Sequence, residues 1–390
     1  MLAPDPVRNP SIVEPSPALA VHEQYPVLEI DLAAIRANWR AMAARYAGPV
    51  VSAVVKSDAY GLGLDRVAAT LADAGCATFW VNDLDEAVRL RMALPDMTVY
   101  ALFGLGLHGP VNFVGTGIVP VLSSLAEVEL CADAARRGGR RMPVAVQLDT
   151  GLGRLGLTRR DVDRLAGRRD LLDALEMRCW VSHLAAFDLP DEASNLRQRA
   201  ALVDWVGRLK PAPISLASSA AMYMGADWHF DIARIGSALF GVQTSVRWQE
   251  GLRPCYRLTA PVLRVADLPA GSTLGYRGAA RLERRSRIAT TILGYANGLP
   301  QAFAGFGTAR FDDHAAPFVG GLSMNLSMLD VTDLPECAAT AGARCIVFDE
   351  NSTIDSAAAR LGCAPNALLT QIGGNTRRRY VDEAATPTGR

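Results

Sequence analysis

No two cysteines in this chain are spaced as CxxC, and the seven present are scattered across 390 residues. An odd, dispersed set argues against both a disulfide framework and a zinc site, so no metal is expected and a reducing cytoplasm is the default setting. Neither sign of charge is in excess. The 40 Lys and Arg balance the 40 Asp and Glu, leaving a formal net charge of zero. That removes the electrostatic reason to expect nucleic acid or an anionic membrane as a partner. No apolar run approaches the roughly 20 residues of a membrane span. Residues 1–25 are rich in proline but have neither a basic start nor an apolar segment, which predicts a flexible arm and not a signal peptide. What is present is ordinary for a globular protein: 50% hydrophobic and 21% charged residues, in a chain long enough for two domains.

From residue 26 to about 250 the sequence repeats a short apolar run, a Gly-rich or polar loop and a helix-period segment. The runs are VVSAVVK, TFWVND, MTVYALF, GIVPVLS, MPVAVQLD, LEMRCWVSH, PISLASS and DIARIGSALFG. Amphipathic stretches such as LDRVAATLADAG and NLRQRAALVDWVGRL separate them, with apolar residues three and four apart. Eight such units predict an α/β fold, a (β/α)8 barrel of the TIM type. From about 251 to 390 the texture changes to β-branched, turn-rich pieces, which predict a mostly β second domain with one short late helix over DSAAARLG and PNALLTQIG.

VSAVVKSDAYGLGL, residues 51–64, leads an apolar strand to Lys56 and then breaks into a loop. A strand-end lysine usually packs its stem and sends its head to water. The alternative is a desolvated amine poised to form a Schiff base. Two segments fit GxGxxG, at Gly104–Gly109 and Gly151–Gly156. Neither has the helix and acidic residue of a dinucleotide site, so both read as loops at the C-terminal mouth of a barrel. The second sends Arg154 out among glycines, suited either to gripping an oxyanion or to simple solvation. His183 ends a strand. Ser218, Ser219, Gly236 and Ser237 end the last two, where barrels frequently hold phosphate. Arg234 on an apolar strand is costly unless partnered. Tyr276 and Tyr295 sit in glycine-rich turns of the second domain.

A Schiff-base lysine on the first strand, a phosphate cup on the last two and a buried arginine together describe a pyridoxal 5'-phosphate site. At this point the chain resembles the alanine racemase family of barrel-fold pyridoxal enzymes. VVKSDAYGLG, LDTGLGRLG, Ser182-His183, ARIGSALFG, LGYRG, LGYANGLP and GGLSMNLSMLD carry the resemblance, in order, over nearly the whole chain. It implies that Lys56 holds the cofactor and is one catalytic base. Tyr276 would be the other, presented from the neighbouring subunit of a head-to-tail homodimer. Tyr60, Ser219, Gly236 and Ser237 would hold the phosphate, and Arg234 would face the pyridine nitrogen. His183 would bridge Arg234 and Tyr276. Arg154 would contact the cofactor's phenolic oxygen and the substrate carboxylate, Met324 would bind that carboxylate through its backbone, and Tyr295 would line the entrance.

Racemisation removes a proton from one face of the α-carbon and returns one to the other, so two bases fit the chemistry. An arginine at the ring nitrogen does not give up its proton, which weakens the electron sink and disfavours transamination. The chain departs from the family pattern at four places. Gln147 replaces a lysine that is often carbamylated, so activity independent of bicarbonate and a small anion near Arg154 are expected. Asn325, Asn297 and Asn366 replace an aspartate, another aspartate and a phosphate-binding tyrosine. The reading is a pyridoxal phosphate-dependent amino-acid racemase with alanine as the first substrate. Its alternatives are a racemase of another amino acid, a decarboxylase or aldolase on the same scaffold, and a non-catalytic pyridoxal-binding protein.

Overall fold

The computed structural model describes residues 24–246 and 249–382. Apart from Gln24 and Tyr25, the expected arm over residues 1–25 lies outside the described residues. After β1 (Val27–Asp31), the eight apolar runs become β2 (Val50–Val54), β3 (Thr78–Val81), β4 (Thr98–Ala101), β5 (Ile118–Leu122), β6 (Met142–Gln147), β7 (Leu175–Val181), β8 (Ile214–Ser215) and β9 (Ile232–Ile235). β2 to β8 pair in chain order and β9 returns beside β2, with Val50 opposite Ile232 and Ala53 opposite Ile235. All of these pairings are parallel. The ring closes between β8 and β9. Asp231 N donates to Ile214 O at 3.0 Å and Arg234 N to Ala217 O at 2.9 Å.

Period-two alternation sorts neighbouring residues onto opposite faces of the ring. Val54, Trp80, Tyr100, Val121 and Cys179 fill its interior. Ala53, Phe79, Val99 and Val146 join the larger core with helix residues such as Leu71, Leu90 and Val128. Both faces are therefore apolar, which is why these strands read as nearly continuous hydrophobic runs.

The second domain contains β10 (Tyr256–Leu268), β11 (Thr273–Leu274), β12 (Ala280–Arg281), β13 (Ser286–Thr291), β14 (Thr308–Phe311), β15 (His314–Leu322), β16 (Ser327–Asp330), β17 (Arg344–Phe348) and β18 (Arg377–Val381). The long β10 shifts register between Val262 and Arg264 and pairs with β17 on one stretch and β13 on the other. That irregularity lets β13, β16, β15, β14, β17 and β10 return on themselves.

β1 falls within the span expected for the barrel, yet it pairs antiparallel with β10 and parallel with β18. The chain therefore enters through the sheet of the second domain before building the barrel. Buried Asn38 fastens this entry. Its amide donates to Leu239 O and Arg253 O and accepts from Arg253 N, at 2.8–3.0 Å. The expected late helix is two helices, Ile354–Leu361 and Pro365–Asn375. Gly362, at φ 68°, ends the first and Pro365 opens the second.

Candidate active site

Lys56 leaves the end of β2 and begins a single left-handed turn. Ser57, Asp58, Ala59 and Tyr60 all have φ between 53° and 57°. This conformation costs an L-residue about 1–2 kcal/mol, so roughly 4–8 kcal/mol over the four. The surroundings must over-determine it. Glu86 supplies one hold, its carboxylate accepting from Asp58 N at 2.7 Å and Asn82 N at 2.9 Å. Asn82 in turn donates to Ser57 Oγ at 2.9 Å. The Asp58 carboxylate accepts from Leu64 N at 2.9 Å, Arg89 at 3.1 Å and Arg378 at 2.6 Å. So fixed, the turn delivers both Lys56 and Tyr60 to one cavity of about 280 Å³ at the C-terminal mouth of the barrel.

One end of the cavity is a cup of hydroxyls from Tyr60, Ser218, Ser219, Ser237 and Thr244. Ser219 Oγ accepts from Gly236 N at 3.0 Å and Ala238 N at 3.3 Å. Ser237 and Thr244 hydroxyls lie 3.1 Å apart. A Cβ at Gly236 would overlap Tyr60 Oη, so glycine is what lets the phenol reach the cup. Burial pushes the Tyr60 phenol up to about 12, keeping it a donor at neutral pH. Among the described residues no Asp or Glu lines the cavity. A pyridoxal phosphate fits this donor set: convergent hydroxyls suit its phosphate, and the Lys56 amine suits its aldehyde.

Arg234 forms the floor. It is 7% exposed and donates to Ser215 O at 2.9 Å, Ser215 Oγ at 2.5 Å and Ser182 O at 2.7 Å. The Trp80 ring, stacked on Tyr100, lies 5.6 Å from its guanidinium carbon. Its partners are carbonyls and a hydroxyl, so its charge is solvated without being neutralised. Burial lowers its pKa to about 10, and it remains a cation at neutral pH. The Lys56 ammonium is lowered by burial, then by repulsion from Arg154 and Arg234, with Glu86 opposing. Burial and the same two arginines, with Lys56, depress His183 to about 3, which leaves a neutral imidazole. The ring packs against Phe187 at 5.6 Å. No hydrogen bond joins it to Arg234 among the described residues, so the expected bridge is not formed within this chain.

Arg154 rides on a loop that Asp149 shapes by accepting backbone N–H bonds from Gly151, Leu152 and Gly153, at 2.9–3.1 Å. The arginine lines the cavity mouth and is exposed. Gln147 lines the same wall and commits its amide nitrogen to Leu155 O at 3.0 Å, which leaves an acceptor oxygen and no cation there. Tyr276, Tyr295 and Met324 lie elsewhere. They are 79%, 39% and 56% exposed on loops of the second domain, and none lines the cavity of its own chain. Tyr295 and Met324 are adjacent through Tyr295 N to Ser323 O (3.1 Å) and Ala296 N to Met324 O (2.9 Å).

Two features escaped the sequence reading. Thr244 belongs to no recognisable motif; the bond from its N–H to Gln249 Oε1 at 2.9 Å, with Ser237 beside it, holds it at the cup. Asp58 and Arg378 are 320 residues apart. Asn366 was expected near the phosphate by position, and it reaches the cavity from the second domain. Among the described residues there is no group of three or more potential metal ligands, and no helix long and apolar enough to cross a membrane. All seven cysteines are free.

Sequence comparison gives the same outline. Residues 30–244 match the alanine racemase N-terminal domain and residues 255–380 its C-terminal domain. Alanine racemase from Brucella canis is 38% identical over 369 residues, covering 91% of this chain and 93% of that protein. The enzyme of that name from Methylobacterium sp. strain 4-46 is 39% identical, covering 91% and 97%. Among solved structures, alanine racemase from Bartonella henselae with covalently bound pyridoxal phosphate superposes with a TM-score of 0.88 at 31% identity. It covers 92% of this chain and 99% of that one. With both domains matched and the barrel-mouth cavity in place, the chain belongs to the alanine racemase family.

Proposed function

We propose that the protein is a pyridoxal phosphate-dependent racemase that interconverts L- and D-alanine by a two-base mechanism. The observation that carries this is the placement of the desolvated Lys56 amine in one cavity with the hydroxyl cup and the carboxylate-free Arg234. When bound, pyridoxal phosphate would supply the electron sink that acidifies the α-proton of the amino acid. Tyr60, Ser219 and Ser237 hydroxyls, with the Gly236 backbone and Thr244, would grip the phosphate. Arg234 would face the ring nitrogen and keep it unprotonated, because the guanidinium is a permanent donor. Arg154 would receive the substrate carboxylate at the mouth.

Lys56 would remove or return the proton on one face of the α-carbon, aided by its lowered pKa. The opposite face needs a second acid-base group. His183 is neutral and recessed beside Arg234, which suits a relay more than a primary base. Tyr276 is exposed, outside its own chain's cavity and mounted on the second domain. This supports its delivery, with Met324 and Tyr295, into the cavity of a second copy in a homodimer. The test is polarimetry on separate L- and D-alanine samples with cofactor-loaded protein. Both rotations are expected to decay to zero with total alanine conserved. Stoichiometric release of carbon dioxide or of an aldehyde would replace this reading with a decarboxylase or an aldolase.

A further inference from the structure

We propose that Asp58 and Arg378 are positioning residues for Lys56, joining the lysine turn to the last strand of the second domain. The inference rests on the reading that Lys56 carries the cofactor. A left-handed turn of four non-glycine residues does not hold itself, and the structure grips it from two sides. On the barrel side stand Glu86 and Asn82. On the other side the contacts come from the stretch 370–380. Arg378 Nη1 lies 2.6 Å from Asp58 Oδ2, and its Nε is held by Gly373 O at 3.1 Å, so the guanidinium is oriented by two separate bonds. Tyr380 Oη donates to Leu62 O at 2.9 Å. Gly61, at φ 81°, has no room for a Cβ against the backbone of Thr370 and Gly374.

The carrier of this grip is rigid. β18 lies in parallel register along all of β1, from Val27 opposite Arg377 to Asp31 opposite Val381. Arg89 is the other cation on Asp58, but its side chain is 49% exposed against 23% for Arg378, and an exposed pair is screened by solvent. Without Arg378, the turn loses the anchor that opposes its relaxation to right-handed geometry. Lys56 Nζ and Tyr60 Oη would leave the cavity together, because both are mounted on the same turn. The expected consequence is a loss of cofactor retention and orientation, beyond any loss of stability.

The test uses the full-length holoenzyme. Cofactor release into cofactor-free buffer is followed by visible absorbance, and cofactor orientation by visible circular dichroism. Arg378→Ala and Asp58→Asn are each expected to speed release at least about tenfold and to weaken the visible dichroism. Asn at 58 still accepts from Leu64 N, so it removes the charge while keeping the local cap. The double variant is expected to be no worse than the poorer single, because both remove one interaction. Arg378→Lys should recover part of the loss, and Arg89→Ala should stay within twofold of the parent. The inference is overturned if Arg378→Ala lowers only the thermal midpoint, with release and dichroism within twofold. If borohydride labels a lysine other than Lys56 in the parent, the functional reading fails and this inference with it. Labelling at Lys56 with an indifferent Arg378→Ala sinks the positioning role alone.

Discussion

Burial, then the cations Arg234, Arg154 and Lys56, push the His183 imidazole down to about 3. An unfolded histidine takes up its proton near 6.5. Between those two values the unfolded chain binds the extra proton and the native chain does not, so stability rises with pH there and is lost on acidification from about 6.5 towards 3. A His183→Gln variant should flatten the fall of the thermal midpoint between pH 6.5 and 4; an unchanged slope would assign acid lability to other groups. Tyr276→Phe separates binding from turnover. It should retain the yellow cofactor complex and lose at least the ~10²-fold typical of one acid-base group. Racemisation at the parental rate would remove Tyr276 from the mechanism. Gln147 can neither accept a carbamate nor supply charge, so activity should be indifferent to exhaustive removal of bicarbonate; a strong dependence would place the reactive amine elsewhere.

At the scale of elements, legibility follows the range of the interaction. Lys56, His183 and Ser219 were readable because each follows an apolar run, and Arg234 because it stands within one, the character of each run being set by its immediate neighbours. The hydroxyl cup was readable in part, since Ser-Ser and Gly-Ser follow successive strands; Thr244 was not, because its position depends on buried Gln249 reaching back to its N–H. The left-handed turn gave no local signal. Ser, Asp, Ala and Tyr do not favour positive φ as a run, and the conformation is imposed by Glu86 and Arg378 from distant segments. β1 fell inside the expected barrel span, 26–250, for the same reason, although it is not one of the eight barrel runs. VLEID is as good a barrel strand as its successors, and only pairing with Arg377–Val381 assigns it to the other sheet. The late helix divides where Gly362 takes up φ 68°, a stop that the run of small residues around it concealed.

The whole molecule leaves Tyr276, Tyr295 and Met324, of the expected machinery, outside the cavity of their own chain. The cavity gathers Lys56, Tyr60, Arg154, His183, Ser219, Arg234, Gly236 and Ser237, while Tyr276 and Met324 stand exposed on the second domain. A homodimer that exchanges those loops reconciles the two observations. A forced monomer, checked by sedimentation, should keep its cofactor and lose turnover, and a fully active monomer would refute the exchange. Everything in this account depends on the amine at the end of β2. The most direct measurement is borohydride reduction of the cofactor-loaded protein, followed by peptide mapping. A reduced pyridoxyl group is expected on the peptide containing Lys56 and nowhere else; a label on any other lysine, or none at all, would rule out Lys56 as the cofactor's anchor.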